Sequence, residues 1–292
     1  MTAVHHRWAT VEGRRLFYRE AGPADAPVVV LLHGFPAGSH MFRDLVPRLA
    51  GRYRVVAPDH LGFGYSDAPP AEEVDYTFDA LADLTQGLLA QLGVLRYAIY
   101  VQDYGAPVGW RLALRDPEAV TAVVTQNGNG YDEGFVEGFW APVRAYWREQ
   151  TPETEAGVRE ALTLEAIRWQ YLTGEPDPSL VSPDTWHHDH ARVSRPGNDA
   201  VQLALFADYA TNPPLYPELH RYLRESRVPV LAVWGRGDEI FGPDGATAFA
   251  RDAHEPEIHL LDGGHFLLES AGEEVARLML DFLDRRLPGP VA

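Results

Sequence analysis

Short apolar runs alternate with longer amphipathic segments along most of the chain. The runs are rich in β-branched residues, which is typical of strands, and they lie at residues 27–32, 53–57, 97–101, 120–125, 228–234 and 257–261. In the intervening segments apolar residues recur with a helical period, and we expect helices near residues 41–50, 77–91, 106–115, 245–253 and 273–286. Strands that alternate with helices pair in parallel and need cover on both faces. The pattern therefore predicts an α/β fold with a mostly parallel sheet and helices on both of its faces.

The alternation stops between residues 129 and 224. This stretch has no convincing apolar strand, but it contains many aromatic residues and prolines, and helical segments such as residues 152–171. An insertion of this size between two strands of an α/β unit is typical of a helical cap. We therefore expect a core domain formed by residues 1–128 and 225–292, with a helical cap domain formed by residues 129–224.

Composition excludes several classes of protein. The formal net charge of −17 argues against a nucleic acid or an anionic membrane as partner, because both are bound through basic patches. The absence of cysteine excludes disulfides, a thiolate metal site and a cysteine nucleophile. The N-terminus lacks the apolar stretch of a signal peptide, and no run approaches the roughly 20 apolar residues that span a bilayer. We expect a cytoplasmic protein that needs no metal and no cofactor.

Three polar residues follow three of the predicted strands. Asp103 follows the strand at 97–101, and Gly105 stands two places later, as in the sharp turn that exposes a nucleophile at the end of a strand. Asp238 follows the strand at 228–234, and His265 follows the last strand. The order nucleophile, acid, histidine predicts a catalytic triad. A lone aspartate in a turn is more often a local capping residue, but three suitable residues at three strand ends favour catalysis.

Two further motifs carry a resemblance to a known family. They are Leu31-Leu32-His33-Gly34-Phe35-Pro36 and the loop Pro58-Asp59-His60-Leu61-Gly62-Phe63-Gly64-Tyr65-Ser66-Asp67. With the triad residues, they make the chain resemble an α/β-hydrolase over essentially its whole length. The aspartate nucleophile resembles the branch that contains epoxide hydrolases and haloalkane dehalogenases. The resemblance implies that the backbone N–H groups of Phe35 and Tyr104 form an oxyanion hole, with His33 and Pro36 supporting its loop.

An aspartate nucleophile suits attack on a saturated carbon. Serine would leave an ether that water does not readily cleave, whereas a carboxylate leaves an ester. A water molecule activated by His265 could then attack the ester carbonyl of Asp103, while Asp238 orients His265. We expect a small apolar organic substrate, with water as co-substrate.

The substrate class depends on what stabilises the leaving group. An epoxide yields an alkoxide that a tyrosine can protonate, whereas a halide needs indole N–H groups or similar donors. Residues 208–212 resemble the segment that carries a ring-opening tyrosine in epoxide hydrolases, which implies that Tyr209 is a donor. Tyr146 is the candidate for the second donor, with Trp140 as an alternative in the same wall. Dehalogenases normally have a tryptophan after the nucleophile, where this chain has Tyr104.

The favoured interpretation is an epoxide hydrolase that forms vicinal diols. The alternative is a haloalkane dehalogenase, and a third possibility is a ligand-binding protein of the same fold without catalysis. The segment Trp186-His187-His188-Asp189-His190 contains residues that bind metals, but adjacent side chains on one element point in different directions. We expect that segment to be a solvated part of the cap surface.

Overall fold

The structure, a computed structural model, describes residues 2–287 and is built around an eight-stranded sheet. The strands are β1 His5–Val11, β2 Arg14–Ala21, β3 Val28–Leu32, β4 Arg54–Pro58, β5 Tyr97–Val101, β6 Val120–Gln126, β7 Val230–Gly235 and β8 Glu257–Leu261. Their order in the sheet is β1-β2-β4-β3-β5-β6-β7-β8. All pairs from β4 to β8 are parallel, whereas β1 and β2 are antiparallel to each other and β2 is antiparallel to β4. The expected α/β architecture is confirmed.

Helices connect the parallel strands. They are α1 Leu45–Leu49, α2 Phe78–Gln91, α3 Gly105–Arg115, α4 Glu137–Arg148, α5 Pro152–Arg159, α6 Leu164–Leu172, α7 Pro183–Val193, α8 Asn198–Asp208, α9 Tyr216–Ser226, α10 Pro243–Ala248 and α11 Leu268–Arg286. The helices from α4 to α9 all lie between β6 and β7, where the sequence predicts an insertion. Within residues 2–287, no helix combines the length and the apolar character that a membrane crossing requires.

The six predicted strands are all present, with ends that differ by two residues at most. The sequence interpretation missed the hairpin formed by β1 and β2. Its turn is made by Glu12 and Gly13, both of which have a positive φ (49° and 78°), as a two-residue hairpin turn requires. The strand β1 is largely exposed, so its sequence lacks the apolar alternation that identifies a half-buried strand. The predicted helix at 41–50 is shorter than expected, since a 3-10 turn precedes α1.

The central strands alternate between the two faces of the sheet. In β3, Val30 and Leu32 join one apolar cluster, whereas Val29 and Leu31 join the other. The first cluster also receives side chains from the segment between β6 and β7, among them Trp140. This double burial explains why β3 and β5 read as continuous apolar runs. Because the central strands pair in parallel, their carboxyl ends meet at one edge of the sheet. That edge carries the polar residues described next.

Candidate active site

The backbone makes a sharp turn at Asp103, directly after β5. Asp103 has a φ of +47°, a backbone conformation that residues other than glycine rarely adopt. The neighbouring glycines are needed for space, because a Cβ on Gly105 would lie 2.1 Å from the carbonyl oxygen of Leu32. A Cβ on Gly34 would lie 2.2 Å from the Cβ of Asp103. The turn therefore has the geometry expected of a nucleophile elbow.

The two carboxylate oxygens of Asp103 have different surroundings. Oδ1 accepts hydrogen bonds from the backbone N–H groups of Phe35 and Tyr104, both at 2.6 Å. Oδ2 lies 3.9 Å from Nε2 of His265. The N–H groups of Phe35 and Tyr104, which the sequence analysis assigned to an oxyanion hole, thus both bind Oδ1. Neither of them binds Oδ2.

His265 and Asp238 form a buried pair. Nδ1 of His265 lies 2.8 Å from Oδ2 of Asp238, so it carries a proton that it donates to the carboxylate. Oδ1 of Asp238 accepts from the backbone N–H groups of Ile240 (2.7 Å) and Phe241 (3.1 Å). These bonds fix the carboxylate, and the carboxylate in turn fixes the orientation of the imidazole. The structure therefore brings Asp103, His265 and Asp238 together as the sequence predicts.

Burial and charge shift the pKa values of two of these groups. Burial raises the pKa of Asp103 to about 6, against the opposing effect of His265 and of the two N–H donors. Burial alone would lower the pKa of His265, but the carboxylates of Asp238 and Asp103 outweigh burial and raise it. The two groups are coupled, since each charge stabilises the other.

The loop that contains Phe35 is held by His33. This side chain is completely buried, and burial lowers the pKa of His33 to about 4. Its Nε2 accepts from the backbone N–H of His60 at 3.0 Å, so Nδ1 carries the proton and donates to the carbonyl oxygen of Gly34 at 3.0 Å. Pro36 is buried directly after Phe35. His33 thus ties this loop to the backbone of His60, whereas a supporting role for Pro36 stays a prediction.

The sequence interpretation missed Asn127, which follows β6. Its Nδ2 donates to Oδ2 of Asp238 at 2.5 Å, and its Oδ1 accepts from the backbone N–H of Gly235 at 3.2 Å. Asn127 therefore ties the end of β6 to the loop that carries the acid. In the sequence, its place just after the apolar run at 120–125 was a signal for it, and the structure adds a φ of +49° at this residue.

Gln102 is a second residue that the sequence interpretation did not assign. Its Nε2 lies 2.9 Å from Nε2 of His265, and its Oε1 is buried without a hydrogen-bond partner among the described residues. A carboxamide serves both forms of the histidine, because its N–H donates to the neutral ring and its oxygen accepts from the imidazolium.

Two buried tyrosine hydroxyls lie within the electrostatic field of Asp103. Tyr209 follows α8 and is completely buried, with its ring centroid 5.7 Å from that of Tyr104. Both hydroxyls are buried, and neither has a hydrogen-bond partner of normal geometry among the described residues. Burial raises both pKa values well above the ordinary value of 10.0, and the charge of Asp103 adds to the effect in each case. For Tyr209, the nearby hydroxyl of Tyr216 contributes as well.

The other candidate donors are placed differently. The indole N–H of Trp140 donates to the carbonyl oxygen of Ile240 at 2.9 Å, although its ring lies 4.7 Å from that of Tyr209. The hydroxyl of Tyr146 lies in the field of Glu155 and Arg159, which form a partly exposed ion pair on α5. The structure therefore brings Tyr209 to the site, gives Trp140 another hydrogen-bond partner, and does not bring Tyr146 together with Asp103.

The expectation of a solvated surface at residues 186–190 is only partly correct. Trp186 and Asp189 are buried on the inner face of α7. Asp189 accepts from the hydroxyl of Tyr171 at 2.5 Å, and its other oxygen lies 3.0 Å from Nδ1 of His188. In the described part of the chain, no three histidine or acidic side chains converge as metal ligands would.

Comparison with known proteins agrees with this geometry. The family model described as alpha/beta hydrolase fold matches residues 27–271, so the chain belongs to that family. The chain is 41% identical to an uncharacterized hydrolase of Saccharomyces cerevisiae over 271 residues, which are 92% of this chain and 93% of the relative. It is 30% identical to a haloalkane dehalogenase of Mycobacterium marinum over 278 residues, which are 92% of this chain and 88% of that protein.

A solved structure, the epoxide hydrolase CorEH without ligand, is similar with a TM-score of 0.77 and 21% sequence identity. The match covers 97% of this chain and 99% of that one. At this level of identity the likeness concerns the fold. The protein is therefore a hydrolase of the α/β fold that is related to haloalkane dehalogenases. Membership of this family implies a small-molecule substrate and water as co-substrate.

Proposed function

We propose that the protein opens small apolar epoxides to vicinal diols through a covalent ester of Asp103. The observation that carries this proposal is the pair of buried hydroxyls of Tyr104 and Tyr209. Neither has a hydrogen-bond partner of normal geometry among the described residues, and both lie within the electrostatic field of Asp103. The indole N–H groups nearby already donate to carbonyl oxygens, that of Trp140 to Ile240 and that of Trp147 to Phe206. Among the described residues, the two hydroxyls can thus give a proton to a leaving alkoxide, whereas these two indole N–H groups are already engaged and cannot bind a halide without breaking those bonds.

In the first step, Oδ2 of Asp103 attacks an epoxide carbon. This oxygen is the free one, because Oδ1 is held by the two backbone N–H groups. A carbon–oxygen bond forms to Oδ2 and the ring carbon–oxygen bond breaks. The electron pair goes to the epoxide oxygen, which takes a proton from a tyrosine hydroxyl and leaves a tyrosinate. Protonation removes charge from the transition state, which is the contribution of a general acid.

In the second step, water attacks the Cγ atom of the ester. His265 takes a proton from the water through Nε2, while Oδ1 carries the negative charge of the tetrahedral intermediate. Phe35 and Tyr104 already donate to this oxygen, so the oxyanion hole is prepared before the charge develops. The intermediate collapses with cleavage of the bond from Cγ to Oδ2. The alcohol oxygen takes the proton from His265, and the proton left on Asp103 returns to the tyrosinate.

Formation of the ester also prepares His265 for its role as a base. The charge of Asp103 is one of the causes that raise the pKa of His265. Esterification removes this charge, so the pKa of His265 falls and the neutral imidazole becomes more populated. The charge of Asp238 remains, and it stabilises the imidazolium that forms when water is deprotonated.

A second candidate function is haloalkane dehalogenation, which the 30% identity to the dehalogenase of Mycobacterium marinum favours. The same ester would form, but a halide would leave without a proton. The two functions therefore differ in their need for a phenolic hydroxyl and not in their need for Asp103 or His265.

Replacement of each tyrosine with phenylalanine tests the proposal. We expect Tyr209→Phe to slow alkylation by an epoxide by at least ~10-fold, and the double replacement with Tyr104→Phe to approach the roughly 100-fold to 10,000-fold contribution of a general acid. The measurement is single-turnover alkylation with an epoxide and a bromoalkane of matched size. Unchanged epoxide opening in the double variant, together with faster release of bromide by the wild-type protein, would assign the protein to the dehalogenases.

Tyr222 offers a matched control. Its hydroxyl is also buried, but the side chain that acts on its pKa is Ser226 and not Asp103. Tyr222→Phe should leave both alkylation rates within ~2-fold of the wild type, because it removes a hydroxyl of the same kind at a distant place. Tyr146→Phe should also leave both alkylation rates nearly unchanged. A large loss of the epoxide rate in that variant would support Tyr146 as the second proton donor, as the sequence suggested.

A further inference from the structure

The segment Thr173, Gly174 and Glu175, which follows α6, contacts the two loops that carry Asp238 and His265. Its contact with the acid loop is backbone against backbone. A Cβ on Gly174 would lie 2.1 Å from the carbonyl oxygen of Gly237, and a Cβ on Gly237 would lie 2.5 Å from Cα of Gly174. Gly174 also has a φ of +78°. No side chain fits between these two segments, so their distance is fixed by direct contact.

The same segment holds the histidine loop through Gly264, the residue before His265. A Cβ on Gly264 would lie 2.0 Å from the carbonyl oxygen of Thr173. Oε1 of Glu175 accepts a hydrogen bond from the backbone N–H of Gly264 at 2.9 Å. Glu175 is only 8% exposed. A side chain from the helical segment between β6 and β7 is thus bonded directly to the loop of His265.

The acid loop and the histidine loop are also joined to each other. The backbone N–H of Gly237 donates to the carbonyl oxygen of Gly263 at 2.9 Å. A Cβ on Gly235 would lie 2.1 Å from the carbonyl oxygen of Gly264. The two loops and the 173–175 segment therefore form one close-packed unit behind the pair of His265 and Asp238.

We propose that the 173–175 segment positions His265 for ester hydrolysis, with the bond from Glu175 to Gly264 as its main contact. The inference rests on the proposed function, because it assumes two half-reactions that use different groups. Glu175 makes no hydrogen bond to His265, Asp238 or Asp103. It is a positioning residue that acts through the backbone of Gly264.

Positioning matters at this place because His265 must present Nε2 to a water beside Cγ of Asp103. Nε2 lies 3.9 Å from Oδ2 of Asp103, so a displacement of His265 by an ångström would spoil the approach of the water. Displacements of this size caused by changes away from the reacting atoms can slow a step by about 100-fold. Alkylation uses Oδ2 of Asp103 and the tyrosine hydroxyls, which the 173–175 segment does not contact. Loss of Glu175 should therefore slow hydrolysis and spare alkylation.

The test follows both half-reactions of Glu175→Ala in a single turnover with an epoxide. Rapid quenching and intact-protein mass measurement give the rates at which the ester of Asp103 forms and disappears. We expect formation within ~2-fold of the wild type and hydrolysis slower by ~10-fold to 100-fold, so that the ester accumulates. Glu175→Gln retains an oxygen acceptor for Gly264 without the charge, and it should restore hydrolysis to within ~3-fold. Glu165→Ala, an exposed change on α6, is the control for loss of an acid.

Several results would overturn the proposal. They are hydrolysis at the wild-type rate in Glu175→Ala, an equal loss of both rates, or a loss in Glu175→Gln as large as in Glu175→Ala. If Glu175→Ala does not fold, Glu175→Asp takes its place, since it shortens the side chain by one methylene group. Unchanged hydrolysis in Glu175→Asp would then reject the positioning role.

A parallel measurement separates this proposal from the proposed function. If His265→Gln forms no ester with any epoxide or bromoalkane, the proposed function fails. The titration of the His265 ring, followed by nitrogen NMR and assigned with His265→Gln, still tests the position of the ring. Glu175→Ala should change the shifts and the apparent pKa of His265, and Glu175→Gln should restore them. Identical titrations in all three proteins would overturn the positioning role whatever the reaction.

Discussion

The two sides of the candidate site differ in how their polar atoms are satisfied. On the nucleophile side, Asp103 and Asp238 accept bonds from four backbone N–H groups, and Asp238 also holds His265. The hydroxyls of Tyr104 and Tyr209, which form the unbonded side, are buried without partners of normal geometry among the described residues. A buried polar group without a partner costs about 1–3 kcal/mol. A substrate oxygen could recover that free energy. We propose that the bonded nucleophile side carries the reaction and that the unbonded side, formed by the two hydroxyls, selects the substrate.

The largest effect should come from the nucleophile. Asp103→Ala removes the only group that can form the ester, so we expect a loss of turnover of at least ~10,000-fold on the best substrate. The fold should persist, because Asp103 lies in a turn outside the apolar clusters. Substantial turnover in the folded variant, measured beside circular dichroism, would mean that the nucleophile side is wrongly assigned.

Replacement of His265 should separate the two half-reactions, alkylation of Asp103 and hydrolysis of the ester. His265→Gln removes the base but leaves Asp103 and both hydroxyls in place. We expect alkylation within several-fold of the wild type and hydrolysis slower by at least ~1,000-fold. Intact-protein mass measurement should give one added substrate mass, in the peptide that contains Asp103. An inactive variant without an added mass would mean that His265 acts before any ester forms, which contradicts the proposed function.

The pH dependence should also distinguish the two sides. Asp103 must be ionised to attack, and burial raises its pKa to about 6, so the alkylation rate should fall about tenfold per pH unit below that value. The tyrosines have pKa values well above 10.0 and should stay protonated throughout the neutral range. Single-turnover rates between pH 4.5 and pH 9 test this, since a flat profile below pH 6 would contradict the raised pKa of Asp103.

The smallest effect concerns stability. The folded protein favours the neutral form of Asp103, since its pKa is raised from the ordinary value of 3.8 to about 6. The stability contributed by the protonated group is present below about pH 4 and is lost as the pH rises through about 6. Asp103→Asn keeps an oxygen for the N–H groups of Phe35 and Tyr104 but carries no charge. It should raise the unfolding free energy at pH 7.5 by about 1–3 kcal/mol, and the gain should vanish near pH 4. Thermal unfolding at both pH values measures the difference, and a destabilised variant at pH 7.5 would contradict it.

The sequence predicted the bonded side far better than the unbonded one. The buried strand Tyr97–Val101, the elbow at Asp103 and the glycines around it follow local rules of spacing and sterics. The direction of a side chain depends instead on contacts between segments far apart in the chain. The indole N–H of Trp140 donates to Ile240, one hundred residues away, and no local pattern contains this information. For the same reason, Tyr104 was identified only by its backbone, although its hydroxyl is buried within the electrostatic field of Asp103.

Oxygen transfer in a single turnover tests the covalent mechanism without any substitution. Wild-type protein in excess over an epoxide is allowed to react once in water enriched in ¹⁸O, and both the diol and the peptide that contains Asp103 are analysed by mass spectrometry. We predict an unlabelled diol and an Asp103 carboxylate that has gained one ¹⁸O atom, because the oxygen added to the substrate comes from Oδ2 and water replaces it. A labelled diol with unlabelled Asp103 would mean that water attacks the epoxide directly, which contradicts the ester of Asp103.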